Sequence, residues 1–238
     1  MPQVVLPVSA ARGTKKKKGT GSKPVPCHIL FFDDDAQSVA RHLVERDPNM
    51  VAFVWKEGQF PGGNESDGSV DMTRIGESNV PLLAAWKNLA LEQFEKGLRA
   101  SSDRLADSEQ IAVGHSWGLT PIVTVEGHVH FDEVHSLAGA GLPSNWQPDP
   151  ATAYHHCSYF DVLGAARSAG IVRVEDSFFE TAFDSHVYLR ADEPGAWVFP
   201  EIGDRLMGNH DLIAADVPDN RRMLRNLQQA ITDGGAER

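Results

Sequence analysis

Gly114-His115-Ser116-Trp117-Gly118 places a serine between two glycines, directly after the apolar run Ile111-Ala112-Val113. A serine hydroxyl is a weak nucleophile at neutral pH. It becomes a useful one when an imidazole takes its proton and a carboxylate holds that imidazole in the right tautomer. Further along the chain, Asp161 follows the strand-like run Thr152 to Tyr159, and His210 stands in Gly208-Asn209-His210-Asp211, just ahead of the last helical pattern. Serine, acid and histidine thus occur in the order Ser116, Asp161, His210, with Asp176 as the alternative acid. Such a set performs acyl transfer through a covalent acyl-enzyme. Trp117 follows the serine, so its backbone amide is one donor to the developing oxyanion. His115 reads as a packing or hydrogen-bonding residue pointing away from the serine face. Each assignment has a plainer rival: a Gly/Ser turn at 114–118, a turn or helix-cap aspartate at 161, and a surface-loop histidine at 210.

These side chains need elements to hold them. The pentapeptide after an apolar run is the pattern of a sharp strand-to-helix turn, where a Cβ at either glycine would collide with neighbouring backbone. Stretches that read as strands occur at Cys27 to Phe32, Asn49 to Trp55, Gln110 to Val113 and Glu133 to Ala138, with Thr152 to Tyr159 as a candidate fifth. Val187-Tyr188-Leu189 and Trp197-Val198-Phe199 are short and ambiguous. Helical spacing appears over Ala36 to Val44, Val80 to Ala100 and Asp219 to Thr232, the last with Met223, Leu224, Leu227 and Ile231 on one face. Leu119 to Glu126 is expected to be a short or irregular helix, because Pro121 lacks an amide proton. Strands alternating with helices predict an α/β fold, a mostly parallel sheet sandwiched between helices. In such sheets the chemistry collects at the carboxyl ends of the strands. Ser116, the Gly139 to Pro143 loop and Asp161 all fall there.

The whole chain sets outer bounds. Its 238 residues, 41% hydrophobic and 23% charged, are ordinary for one soluble globular domain. A formal net charge of −11 opposes general affinity for nucleic acid or anionic membrane. No run approaches the length of a membrane span, and the basic cluster near the start follows its apolar patch rather than preceding it, the reverse of a secretory signal. The expectation is a cytoplasmic protein with no membrane span and no specific nucleic-acid partner. Residues 1–26, which hold Lys15-Lys16-Lys17-Lys18 among Gly, Ser, Thr and Pro, read as a disordered basic tail ahead of a domain over 27–238. Two cysteines, Cys27 and Cys157, cannot make a disulfide framework. Among the ten histidines, His128 with His130 and His155-His156-Cys157 are locally dense, but neither group has a finger or metalloprotease spacing. No metal and no organic cofactor is expected.

Several blocks together resemble an actinobacterial α/β-hydrolase family first catalogued as a domain of unknown function. They are Val51 to Trp55 followed by Pro61, Ala90 to Ala100, the Gly-His-Ser-aromatic-Gly elbow, Glu133 to Gly141, and His210-Asp211 ahead of Leu224-Arg225-Asn226-Leu227. The resemblance covers roughly residues 27 to 232, and its specific parts are the elbow and the closing block. It implies the α/β-hydrolase fold and a serine esterase acting on a small acyl or ester substrate, with Ser116 as nucleophile, His210 as base and Asp161 as acid. In that family the loop after the first strand contains glycine and supplies the second oxyanion amide. Here the corresponding stretch is Phe31-Phe32-Asp33-Asp34-Asp35, so the second donor falls on the amide of Phe32 or Asp33, beside carboxylates that oppose an oxyanion. That departure keeps a catalytically inactive binding module open as an alternative. A peptidase, thioesterase or acyltransferase with the same triad is another.

Overall fold

Five consecutive residues, Ile111–His115, are all buried, which a strand achieves when both faces of its sheet are covered. The computed structural model describes residues 3–4, 36–47, 50–56, 81–139, 142–161, 181–188 and 208–233. In chain order the elements are β1 (Gln3–Val4), α1 (Ala36–Arg46), β2 (Trp55–Lys56), α2 (Pro81–Ser101), α3 (Asp103–Ala106), β3 (Ile111–His115), α4 (Leu119–Val125), β4 (Glu133–Leu137), β5 (Ala153–Tyr159), β6 (Phe183–Tyr188) and α5 (Arg221–Asp233). Single 3₁₀ turns lie at Ser116–Gly118 and Pro218–Asn220, and one helical turn spans 208–212.

Strands β3, β4, β5 and β6 form one parallel sheet in that order. His115 lies opposite Leu137, Leu137 opposite Cys157, and Tyr159 opposite Tyr188. Because side chains alternate across a strand, this register sorts the core into two halves. Ile111, Val113, Leu137, Cys157, Tyr159 and Tyr188 face one side, where Val39, Leu43, Leu224 and Leu227 of α1 and α5 cover them. Ala112, Val134, Tyr154 and Phe183 face the other, against Leu91 of α2 and Leu119 and Ile122 of α4. The architecture is therefore α/β, a parallel sheet between two layers of helices. Each fully buried Leu or Ile in these layers stabilises the fold by roughly 1.5–3 kcal/mol.

Some boundaries differ from the sequence reading. The run at 49–55 buries Met50, Ala52 and Val54 at period two, as an extended segment does. Its ladder with described partners is short: Trp55–Lys56 pairs antiparallel with Gln3–Val4, apart from the main sheet. Gln3–Val4 belongs to the stretch expected as a tail, and the rest of 1–26 lies outside the described residues, as do the expected strand at 27–32 and the run at 197–199. The ambiguous Val187-Tyr188 pair is the end of β6, which begins earlier at Phe183. Pro121 costs less than its place in the pattern suggests. The 3₁₀ turn occupies residues 116–118, so α4 starts at Leu119 and Pro121 is its third residue, where an amide has no partner within the helix. None of the described helices is long and apolar enough to cross a membrane.

Candidate active site

A sharp strand-to-helix turn forms where β3 meets α4. Ser116 has φ 52°, a left-handed conformation that a side-chain-bearing residue adopts at a cost of roughly 1–3 kcal/mol, held here by the buried strand before it and the helix after it. Gly114 makes that packing possible. A Cβ there would sit 2.8 Å from the Leu119 amide nitrogen, 2.9 Å from the Gly118 carbonyl carbon and 2.9 Å from Ile122 Cδ1. Two of those atoms are backbone, so α4 itself must move to admit a methyl group. Gly114→Ala is expected to destabilise the protein by about 1–3 kcal/mol, measured by urea denaturation against wild type. An unchanged midpoint would mean that α4 does not pack this closely on β3.

Asp161 leaves the carboxyl end of β5, and His210 lies in the helical turn over 208–212. His210 Nδ1 donates to Asp161 Oδ2 at 2.8 Å, with both side chains buried. This bond assigns the proton of a neutral ring to Nδ1 and leaves Nε2 as a lone pair. Burial holds His210 below the ordinary histidine value, outweighing the Asp161 hydrogen bond that pulls it upward; the neighbouring His115 also lowers it. At neutral pH the imidazole is therefore uncharged and able to accept a proton.

The histidine segment is tied down on several sides. His115 Nε2 donates to the His210 carbonyl at 3.0 Å, and the two rings lie 4.9 Å apart at an interplanar angle of 35°. Since His115 immediately precedes Ser116, this contact brings the His210 segment against the elbow. Asn209 Nδ2 donates to the Phe160 carbonyl at 2.9 Å, so 209–210 are fastened to 160–161 by two adjacent side-chain bonds. Buried Asn220 donates to the carbonyls of Ile213 and Ala215 and accepts from the Tyr159 hydroxyl at 3.1 Å. His42 on α1 pairs with Asp216 at 2.9 Å. Together these contacts fix the link between the His210 turn and α5 to both α1 and β5.

Of the residues picked from the sequence, Ser116, Trp117, Asp161 and His210 lie among the described residues, and Phe32, Asp33 and Asp176 lie outside them. The structure joins Asp161 to His210 and sets His210 against His115. Among the described residues no hydrogen bond links Ser116 to His210; such contacts commonly tighten only when substrate binds. Trp117 is buried, its indole within the body of the fold. Asn209, Asn220 and Tyr159 escaped the sequence reading. The sequence marks Asn209 only by its place beside the candidate histidine. Of the locally dense histidines, His128 pairs with Glu92, His130 with Asp132 and Asp149, and His156 with Ser136, while His155 stacks on His135.

No protein-family model and no curated protein matches the chain. Its coordinates are similar to those of a dienelactone hydrolase-like promiscuous phosphotriesterase from metagenomic libraries, at 16% identity and a TM-score of 0.46 over 90% of this chain and 88% of that one. They are also similar to the Bacillus cereus carboxylesterase, at 10% identity and a TM-score of 0.44 over 79% and 89%. A third likeness is to MGS-M1, an alpha/beta hydrolase enzyme from a Medee basin deep-sea metagenome library, at 12% identity and a TM-score of 0.43 over 88% and 84%.

Proposed function

We propose that this chain is a serine hydrolase of the α/β-hydrolase fold that cleaves carboxylic esters of small acyl substrates through an acyl-enzyme, as the resemblance of its elbow and closing block to the actinobacterial family suggests. One observation carries the reading: a serine at φ 52° between a buried parallel strand and a helix, with a buried Asp161–His210 pair packed against the residue preceding that serine. In this reading His210 Nε2 takes the Ser116 proton as Oγ attacks the ester carbonyl. Asp161 stabilises the resulting imidazolium through the Nδ1 bond, and the amide of Trp117 donates to the oxyanion. His210 then returns the proton to the departing alkoxide, and water repeats the sequence to release the acid. The second oxyanion donor is assigned to the amide of Phe32 or Asp33. In this reading residues 27–238 form the catalytic domain of a cytoplasmic protein and 1–26 its basic segment, of which Gln3–Val4 pairs back onto Trp55–Lys56.

A fluorophosphonate probe tests the nucleophile directly, because it reacts with an activated serine and spares an ordinary one. Wild-type protein is expected to label at Ser116, located by peptide mass spectrometry. Native, folded protein that stays unlabelled would sink the reading and leave the binding module. Labelled protein that turns over anilides or thioesters but not p-nitrophenyl esters would keep the triad and move the acceptor.

A further inference from the structure

A second cluster of chemistry-bearing side chains lies on the sheet away from the elbow. Glu133 and His135 alternate along β4 and so project from one face. His155 is the register partner of His135 on β5 and projects from that same face. A carboxylate oxygen of Glu133 and one imidazole nitrogen from each histidine all lie within 4.8 Å of one another. His135 Nε2 donates to Glu133 Oε2 at 2.9 Å, and the two imidazoles stack with centroids 4.7 Å apart and 18° between their planes. Glu133 is 0% and His135 2% exposed, while His155 is half-buried.

We propose that Glu133, His135 and His155 form a binding site for a divalent transition metal, zinc(II) by donor type. Two imidazoles and one carboxylate are a borderline-soft nitrogen and oxygen set that suits zinc, and a carboxylate beside two histidines offsets part of the ion's charge. Tetrahedral zinc with bonds of about 2.0–2.1 Å sets its ligand atoms about 3.4 Å apart, so the trio must close by up to about 1.4 Å. The half-exposed His155 ring can make that movement, whereas Glu133 and His135 are already packed in contact. On binding, the His135 proton now shared with Glu133 moves to Nδ1, and Nε2 and the carboxylate turn to the ion. Three protein ligands leave a fourth position for water on the half-exposed side.

The site is separate from the elbow. Glu133 and His135 lie opposite Ile111 and Val113, and Ser116 is three residues beyond Val113, roughly 10 Å along the strand direction. The two sites therefore stand or fall independently. In sequence, Glu133 and His135 lie about twenty residues from His155 with no motif spacing. Only the parallel register of β4 and β5 places them together.

The test is zinc(II) itself on the full chain, freed of metal by a chelator and dialysis. Isothermal titration is expected to show about one ion bound per chain with a dissociation constant below roughly 1 μM, and cobalt(II) to give the visible d–d bands of a tetrahedral site. His155→Gln, which changes the half-exposed ligand and keeps the packed pair, is expected to weaken zinc binding at least about 100-fold and abolish the cobalt bands. Zinc should raise the thermal midpoint of wild type and leave that of His155→Gln unchanged. His128→Gln, an exposed histidine paired with Glu92 of α2 and away from β4 and β5, serves as the control and should bind as wild type. Absence of zinc binding by the wild type overturns the proposal, and so does binding that survives His155→Gln.

Discussion

Ser116→Ala is expected to lower kcat/KM for p-nitrophenyl esters by about 10⁴ to 10⁶, equivalent to roughly 5–8 kcal/mol of transition-state stabilisation. The size follows from the proposed role. Without Oγ there is no acyl-enzyme, and the remaining rate comes from the oxyanion donor and from binding alone. Protein stability provides the control, because alanine and serine meet the same penalty at φ 52°. Ser116→Ala should therefore unfold within about 1 kcal/mol of wild type, and Ser116→Gly, equally inactive, should be more stable by about 1 kcal/mol because glycine tolerates that φ. Steady-state kinetics and urea denaturation on the three proteins check both statements. Ester turnover within tenfold of wild type in Ser116→Ala would exclude this serine as nucleophile.

Asp161→Asn is expected to reduce kcat/KM by about 10³ to 10⁴ with little change in KM. The neutral amide can hold the His210 ring in the wrong tautomer and cannot stabilise the imidazolium that forms during turnover. The pH profile adds a second signature. His210 must be unprotonated to act as base, so activity is lost as pH falls through its pKa. Burial sets that pKa below the ordinary 6.5, so the acid limb of the wild-type profile should lie below pH 6.5. Asp161 supplies the contributions that raise it, through the hydrogen bond and its charge. Removing the charge should move the limb to still lower pH. A limb above pH 6.5 in wild type, or a shift upward in Asp161→Asn, would remove Asp161 and His210 from the proposed mechanism.

The central elements were readable because local pattern and burial agree there. Ile111 to Val113 is an apolar run followed by a Gly-x-Ser-x-Gly turn, and the structure buries all of Ile111–His115 directly ahead of the left-handed Ser116. The closing helix was equally plain, since Met223, Leu224, Leu227 and Ile231 recur at helical spacing and all reach the core. The 49–55 run was less legible. A continuous apolar run of this length reports a buried strand-like segment, but it does not choose the pairing partner, and the described ladder is with Gln3–Val4.

The sequence by itself determined the α/β alternation and the turn that presents Ser116, because each depends on residues close together in the chain. It could not select Asp161 over Asp176. The structure brings the Asp161 carboxylate to 2.8 Å from His210 across 49 residues, and Asp176 lies outside the described residues. The clasp of His115 on the His210 carbonyl, the Asn209 and Asn220 anchors, and the meeting of Glu133, His135 and His155 also belong to tertiary structure. Each joins side chains from different elements, and the parallel register of the sheet and the packing of α1 and α5 over it bring those elements together.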